Sequence, residues 1–189
     1  MFTRIFLKNY RSFDEFELNL TGKNGMPKKL AIIYGENGAG KSTIFEAISY
    51  ALFKKTTSGQ NNLVKSSKDP HVKNEMSVEL TFEERGVEYK VIRSKKSSKT
   101  SSTLYQKDIN GGRFNVLSAG NSQVDKDLKS IINVDADLFL NAIYIRQGEI
   151  ADLVSKKPAE RKKLITKLLK IEELEKGVID LQKALEDMR

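Results

Sequence analysis

The sequence contains no cysteine and a single histidine, His71. The first absence excludes a disulfide scaffold, a thiolate metal site and a cysteine nucleophile. The second leaves almost nothing from which to build a histidine zinc site or a histidine acid–base pair. No apolar run approaches the ~20 residues of a membrane span. The N-terminal Met-Phe-Thr-Arg-Ile-Phe-Leu-Lys alternates where a signal peptide would carry an apolar block. A soluble, intracellular protein without membrane contact is expected. What the chain has in quantity is charge. Charged residues make up 31% of it, against roughly 25% in globular chains generally. Thirty-three Lys and Arg face 25 Asp and Glu, for a net charge of +8. That excess suits contact with a polyanion, and it equally serves solubility. The 189 residues, 39% hydrophobic, suffice for one packed domain with an appendage.

Periodicity predicts an α/β chain. Phe2 to Lys8 alternates as a strand with Thr3, Ile5 and Leu7 on one face. Phe16, Leu18 and Leu20 mark a second strand. Leu30 to Tyr34 is continuously apolar and predicts a strand buried on both faces. A helix is expected over about Lys41 to Phe53, from the stripe Ile44, Ala47, Ile48, Ala51 and Leu52. Lys54 to Asn74 reads as polar, basic and irregular. Met76 to Phe82 and Val87 to Val91 form a hairpin about Glu84-Arg85-Gly86. Ser94 to Ser102 reads as a loop, Thr103 to Lys107 as a third antiparallel strand, and Gln123 to Ile132 as a short helix. Ala142 to Arg146 is a second candidate buried strand. Ser155, Pro158 and Glu160 suit a helix start. From Ile171 the apolar residues Ile171, Leu174, Val178, Leu181, Leu185 and Met188 are spaced 3, 4, 3, 4, 3, a heptad seam with charged flanks. A coiled coil that continues past Arg189 is expected. The domain division is 1–155 for the α/β lobe and 156–189 for the helix leading into the coiled coil.

The chemistry lies in Gly35-Glu36-Asn37-Gly38-Ala39-Gly40-Lys41-Ser42, which matches the phosphate-binding P-loop G-x-x-x-x-G-K-[ST]. Glycines let the backbone wrap a phosphate in conformations that a Cβ forbids. The loop amides and the helix N-terminus present positive dipoles to the anion. Lys41 brings a charge to the β- and γ-phosphates, and the Ser42 hydroxyl is placed to ligate Mg²⁺. No guanine-reading [NT]-K-x-D is found. Asp108-Ile109-Asn110-Gly111 fits D-x-x-G but reads better as a hairpin turn. The nearest Walker B candidate, Ile131 to Asp135, is broken by Asn133 and ends a helix. The residues thus suit triphosphate binding and lack the carboxylate that efficient hydrolysis needs.

Four segments occur in a telling order: Asn9-Tyr10-Arg11-Ser12-Phe13, the P-loop through Thr43, Ile145-Arg146-Gln147-Gly148-Glu149, and Pro158-Ala159-Glu160-Arg161 before the heptads. Together they resemble the N-terminal half of the SMC-like, ABC-class ATPase of DNA double-strand-break repair, the partner of the meiotic-recombination nuclease. The resemblance covers essentially the whole chain. It implies an ABC-type lobe: a small antiparallel β subdomain beside a P-loop strand–helix unit, then a coiled-coil root. It implies ATP and Mg²⁺ as cofactors. Arg11 and Ser12 would contact the nucleotide phosphates. Asn37 would face the γ-phosphate within the cradle of Gly38, Ala39, Gly40, Lys41, Ser42 and Thr43. Gln147 would be the Q-loop glutamine, a Mg²⁺ ligand alongside Ser42. The expected partners are the C-terminal half of the same ATPase, a second copy for head dimerisation, the repair nuclease at the coiled-coil base, and double-stranded DNA. ATP-driven pairing of heads would gate access of DNA and nuclease.

That family's second half carries the signature motif, Walker B, the D-loop and the switch histidine. Leu117-Ser118-Ala119-Gly120 resembles a signature but precedes Gln147, where the family order puts it after the coiled coil, so it reads as a loop. Positive charge gathers in Lys54 to Lys73, in Arg93 to Lys107 and in Lys156 to Lys163. Lys95, Lys96 and Lys99 are the candidate DNA contacts, since flexible basic loops suit sequence-independent phosphate binding. Two alternatives share the P-loop. One is a recombination-type or SMC head without a nuclease partner; the other is a free-standing kinase-like enzyme, which would turn over alone.

Overall fold

A computed structural model describes residues 1–56, 63–65, 75–108, 112–134, 136, 139 and 157–159. The chain divides into two units, Met1–Ala136 and Asp137–Arg189, and nearly all described residues belong to the first. The elements run in the order β1 (Phe2–Tyr10), β2 (Phe13–Asn19), α1 (Lys41–Phe53), β3 (Glu75–Glu84), β4 (Val87–Lys96), β5 (Lys99–Lys107), β6 (Phe114–Ala119) and α2 (Asn121–Ile132). The six strands form one sheet in the order β2-β1-β3-β4-β5-β6. Every neighbouring pair is antiparallel.

Alternation decides the core. Ile5 and Leu7 of β1 sit level with Leu80 and Val78 of β3, and Leu80 with Val91 of β4, which faces Leu104 of β5. All six side chains are fully buried. α1 covers β3 and β4, and α2 covers β5 and β6, adding Ala47, Ile48, Ala51, Val124 and Leu128 to the same core. Burial of this kind stabilises by about 25 cal/mol per Å² of apolar surface.

The predicted β1, β2, hairpin and α2 form within a few residues of the expected limits, and α1 has the expected limits. Three expectations are corrected. Leu30 to Tyr34 forms no strand: Leu30, Ile32 and Tyr34 are 79%, 80% and 92% exposed. An apolar run becomes a buried strand only if neighbours pair with its backbone, and no described strand does. Ser94 to Ser102 is mostly strand, because β4 continues to Lys96 and β5 begins at Lys99. Only Ser97 and Ser98 turn the chain, with Ser97 in the left-handed region at φ 54°. Backbone pairing and a 3.0 Å bond between the Ser94 and Ser101 hydroxyls offset the weak strand preference of this polar run. Leu117 to Ala119 is not a loop either; it ends β6.

Within the basic Lys54 to Asn74 segment, Leu63 to Lys65 dock beside β1: the Arg11 amide donates to the Leu63 carbonyl at 2.8 Å and the Lys65 amide to Asn9 at 2.9 Å. Gln147, the Ala142 to Arg146 run, His71 and the Ile171 to Met188 seam lie outside the described residues.

Candidate nucleotide-binding site

The site begins with a helix whose first turn is left open. α1 has Gly40 as its N-cap, with no side-chain cap and no acidic residue in the first turn. The first amides of a helix lack partners within it, and its dipole is positive there. Gly38 and Gly40 take φ 86° and 93°, where only glycine sits without strain. Nothing lies within 4 Å of a Cβ position on Gly38. The loop is drawn into a ring by Lys41, whose Nζ donates to the Gly35 and Glu36 carbonyls at 2.8 Å each. A further bond joins the Ala39 amide to Glu36 at 3.2 Å. Asn37 and Ser42 are exposed, and Thr43 is half-buried. A cradle of amides, an uncapped helix end, one ammonium and one exposed hydroxyl fit a Mg²⁺-bound polyphosphate.

The turn between β1 and β2 approaches this loop. Asn9 and Arg11 adopt φ 49° and 51°, which turns the chain sharply around Tyr10. Phe13 packs its ring against Gly40, and the Ser12 hydroxyl lies 3.3 Å from the Cβ position of that glycine. Phe13 also meets Phe16, ring centroids 4.7 Å apart. Arg11 ion-pairs with Glu46 of α1 at 3.2 Å, and its guanidinium lies 5.9 Å from the Tyr10 ring. Ser12 and the P-loop, 23 residues apart at their nearest, thus become neighbours, and Arg11 is anchored to the P-loop helix.

Glu46, which the sequence did not single out, takes part, as do Phe13 and Tyr10 of the 9–13 segment, which the sequence left without individual roles. Phe13 buttresses Gly40. Glu46 is buried on α1 and holds Arg11; an acid amid the apolar stripe of a helix was its only signal. Tyr10 is fully buried, and among the described residues no partner meets hydrogen-bond geometry at its hydroxyl. Burial pushes the Tyr10 phenol up to about 12, although the nearby Arg11 guanidinium pulls the other way. Lys95, Lys96 and Lys99 lie at the β4–β5 turn, where Lys96 pairs directly with Lys99 and Lys95 with Thr100. By strand alternation Lys96 and Lys99 share one face of the hairpin and Lys95 takes the other.

The family model described as AAA domain matches residues 4–189. The chain belongs to this family. It is also similar to proteins named DNA double-strand break repair Rad50 ATPase. The similarity to the one from Methanococcus maripaludis is 39% identity over 171 residues, 90% of this chain and 16% of that protein. For Methanocaldococcus jannaschii it is 38%, again over 90% of this chain and 16% of that protein. For Thermoplasma volcanium it is 35%, over 98% of this chain and 19% of that protein. The chain therefore spans less than a fifth of the length of these curated relatives. These are the repair ATPases that the four ordered segments resemble. The six-stranded antiparallel sheet with its P-loop helix fits the lobe of such an ATPase. Among the described residues no helix is long and apolar enough to cross a membrane.

Proposed function

We propose that the chain is the ATP-binding N-terminal half of a DNA double-strand-break repair ATPase. The observation that carries this reading is the P-loop itself: a glycine cradle at an uncapped helix N-terminus, closed by Lys41 and flanked by the Arg11–Ser12 turn. Lys41 binds the β- and γ-phosphates, Asn37 faces the γ-phosphate, and Arg11 and Ser12 lean in from the β1–β2 turn. Ser42 and Gln147 ligate Mg²⁺, which neutralises phosphate charge when bound. A carboxylate to polarise the attacking water would come from elsewhere, because no described strand ends in a Walker B carboxylate.

The C-terminal half of the ATPase is that source. The exposed Leu30, Ile32 and Tyr34 support this reading, since an apolar segment leading into a P-loop is suited to pairing with strands from another part of the protein. Two such heads then sandwich two ATPs, with each signature motif supplied by the opposite head. Closure of the pair gates double-stranded DNA, bound in part by Lys95, Lys96 and Lys99, and a repair nuclease at the base of the coiled coil begun at about residue 156. The 1–155 lobe and the 156–189 helix are the two parts of this half, which works inside the cell.

The test compares this chain alone with the chain plus its C-terminal half. ATPase rate and light-scattering mass are measured for each. The chain alone is expected to bind ATP weakly, stay monomeric and turn over almost nothing; hydrolysis and ATP-dependent pairing are expected together once the second half is added. Robust turnover by the chain alone would overturn the half-enzyme reading and favour a kinase-like enzyme.

A further inference from the structure

At the end of α1 opposite the P-loop sits an arginine with 1% of its surface exposed, Arg93 of β4. A charge so far from water needs hydrogen-bond partners, and each of its three nitrogens has at least one. Its Nε donates to the Ala51 carbonyl at 2.5 Å, and Nη2 to the Leu52 carbonyl at 3.1 Å and to Asp125 Oδ1 at 2.8 Å. Ala51 and Leu52 are in the last turn of α1, where carbonyls lack helical partners and the dipole is negative. Burial lowers the Arg93 pKa, and Asp125 opposes that shift. Lys54, at the C-cap of α1, bonds the other oxygen of Asp125 at 2.8 Å.

The bonds do not stop at Arg93. Its Nη1 donates to Ser102 Oγ at 2.8 Å; that hydroxyl donates to Asn121 Oδ1 at 2.7 Å; and Asn121 Nδ2 donates to Thr100 at 3.1 Å, to both its carbonyl and its hydroxyl. Thr100 follows Lys99 directly and pairs with Lys95. An unbroken chain of side-chain bonds therefore runs from the last turn of the P-loop helix to the tip of the basic hairpin. α1, 13 residues long, spans the remaining ~20 Å to the phosphate loop as a rigid rod.

We propose that Arg93, Ser102 and Asn121 form a relay that couples occupancy of the phosphate loop to phosphate binding by the β4–β5 hairpin. Arg93 is a positioning residue here: it touches neither ligand. A shift of α1 when the loop closes on polyphosphate moves the Ala51 and Leu52 carbonyls. The guanidinium, fixed to them by two bonds, passes the shift to Ser102 and Asn121, and so to Thr100. Coupling through a contiguous network requires that each bond be made, and it is reciprocal between the two ligands. The inference rests on the nucleotide site and DNA hairpin proposed above.

The experiment measures duplex DNA affinity by fluorescence anisotropy in the assembled ATPase, with and without Mg²⁺ and a non-hydrolysable ATP analogue. The ratio of the two dissociation constants is the coupling factor. In the parent protein it should differ from one by several-fold. Ser102→Ala and Asn121→Ala should each bring it to within about twofold of one while analogue affinity without DNA stays within about twofold of the parent, since neither touches the P-loop. Arg93→Met should do the same, and Arg93→Lys should fall between, because an ammonium has three N–H donors at one point for the four acceptors that the planar guanidinium spans. Lys90→Met, on the sheet face away from α1, should leave the factor intact. Retention of the parental factor in Ser102→Ala and Asn121→Ala overturns the relay even if Arg93→Met fails to fold. Failure of the parent to bind the analogue overturns the nucleotide-site reading instead, and analogue binding without any effect on DNA overturns the coupling alone.

Discussion

The ring of Phe13 approaches to 2.6 Å from where a Cβ on Gly40 would stand. The contact joins the β1–β2 turn to the phosphate loop, and it makes Gly40 irreplaceable for two separate reasons. The residue is in a left-handed conformation at φ 93°, and the space beside it is filled by an aromatic ring.

Gly40→Ala should therefore destabilise the fold by about 2–5 kcal/mol, from left-handed strain of about 1–2 kcal/mol and overpacking of about 1–3 kcal/mol. It should also abolish nucleotide binding. Adding Phe13→Leu should recover the packing part and leave the backbone part. Denaturant melts of the single and double variants measure this. A single variant as stable as the parent would show that ring and loop part without cost.

Lys41→Ala should remove measurable ATP binding and leave the melting temperature within a few degrees of the parent. Among the described residues the Lys41 ammonium bonds only to carbonyls of its own loop, Gly35 and Glu36, so little of the core depends on it. Titration calorimetry reads the first effect and thermal melting the second. Unchanged ATP affinity would sink the assignment of the loop.

Replacement of Lys95, Lys96 and Lys99 by Ala should weaken duplex binding about equally for all sequences. Each lost phosphate contact should make the log–log salt slope shallower by up to about 0.9. Lys96 and Lys99 share a face, and among the described residues the only ion pair formed at the tip is a 3.8 Å contact of Lys96 with Glu75. The Lys96→Ala/Lys99→Ala pair should account for most of the effect and Lys95→Ala for less. An unaltered slope in the triple variant would leave the hairpin as solvated surface.

Tyr10 predicts a loss of stability in alkali. Its phenol is raised from the ordinary value of 10.0 to about 12 by burial. The folded state therefore holds its proton over a range in which the unfolded state has released it. Stability from this group is complete below pH 10 and falls as pH rises towards 12, by roughly 2–3 kcal/mol in total. Tyr10→Phe should flatten that fall. It should cost little at neutral pH, because the hydroxyl it removes has no well-formed hydrogen bond among the described residues. Chemical denaturation at pH 8 and at pH 11 for both proteins checks it. An equally steep fall in the variant would place the sensitivity elsewhere.

What the sequence determined by itself was whatever depends on neighbours along the chain. The 3.6-residue stripe of α1 and the two-residue alternation of β1, β3 and β4 are local, and the P-loop works through backbone amides of consecutive residues, so its spacing could be read directly. The order of the segments around it was enough to point to the family. Only the tertiary structure decided the rest. Leu30 to Tyr34 has the composition of a buried strand, yet burial belongs to its partners, and no described strand pairs with it. Ser94 to Ser102 has the composition of a loop, yet antiparallel pairing draws most of it into β4 and β5. Glu46 and Arg93 carry no motif and Phe13 only closes one, and the roles of Glu46, Phe13 and Arg93 come from contacts with residues 35, 27 and 42 positions away. Such contacts are set by how the sheet stacks on α1. Periodicity reports which face of an element is apolar, and the packing of elements alone decides what that face meets.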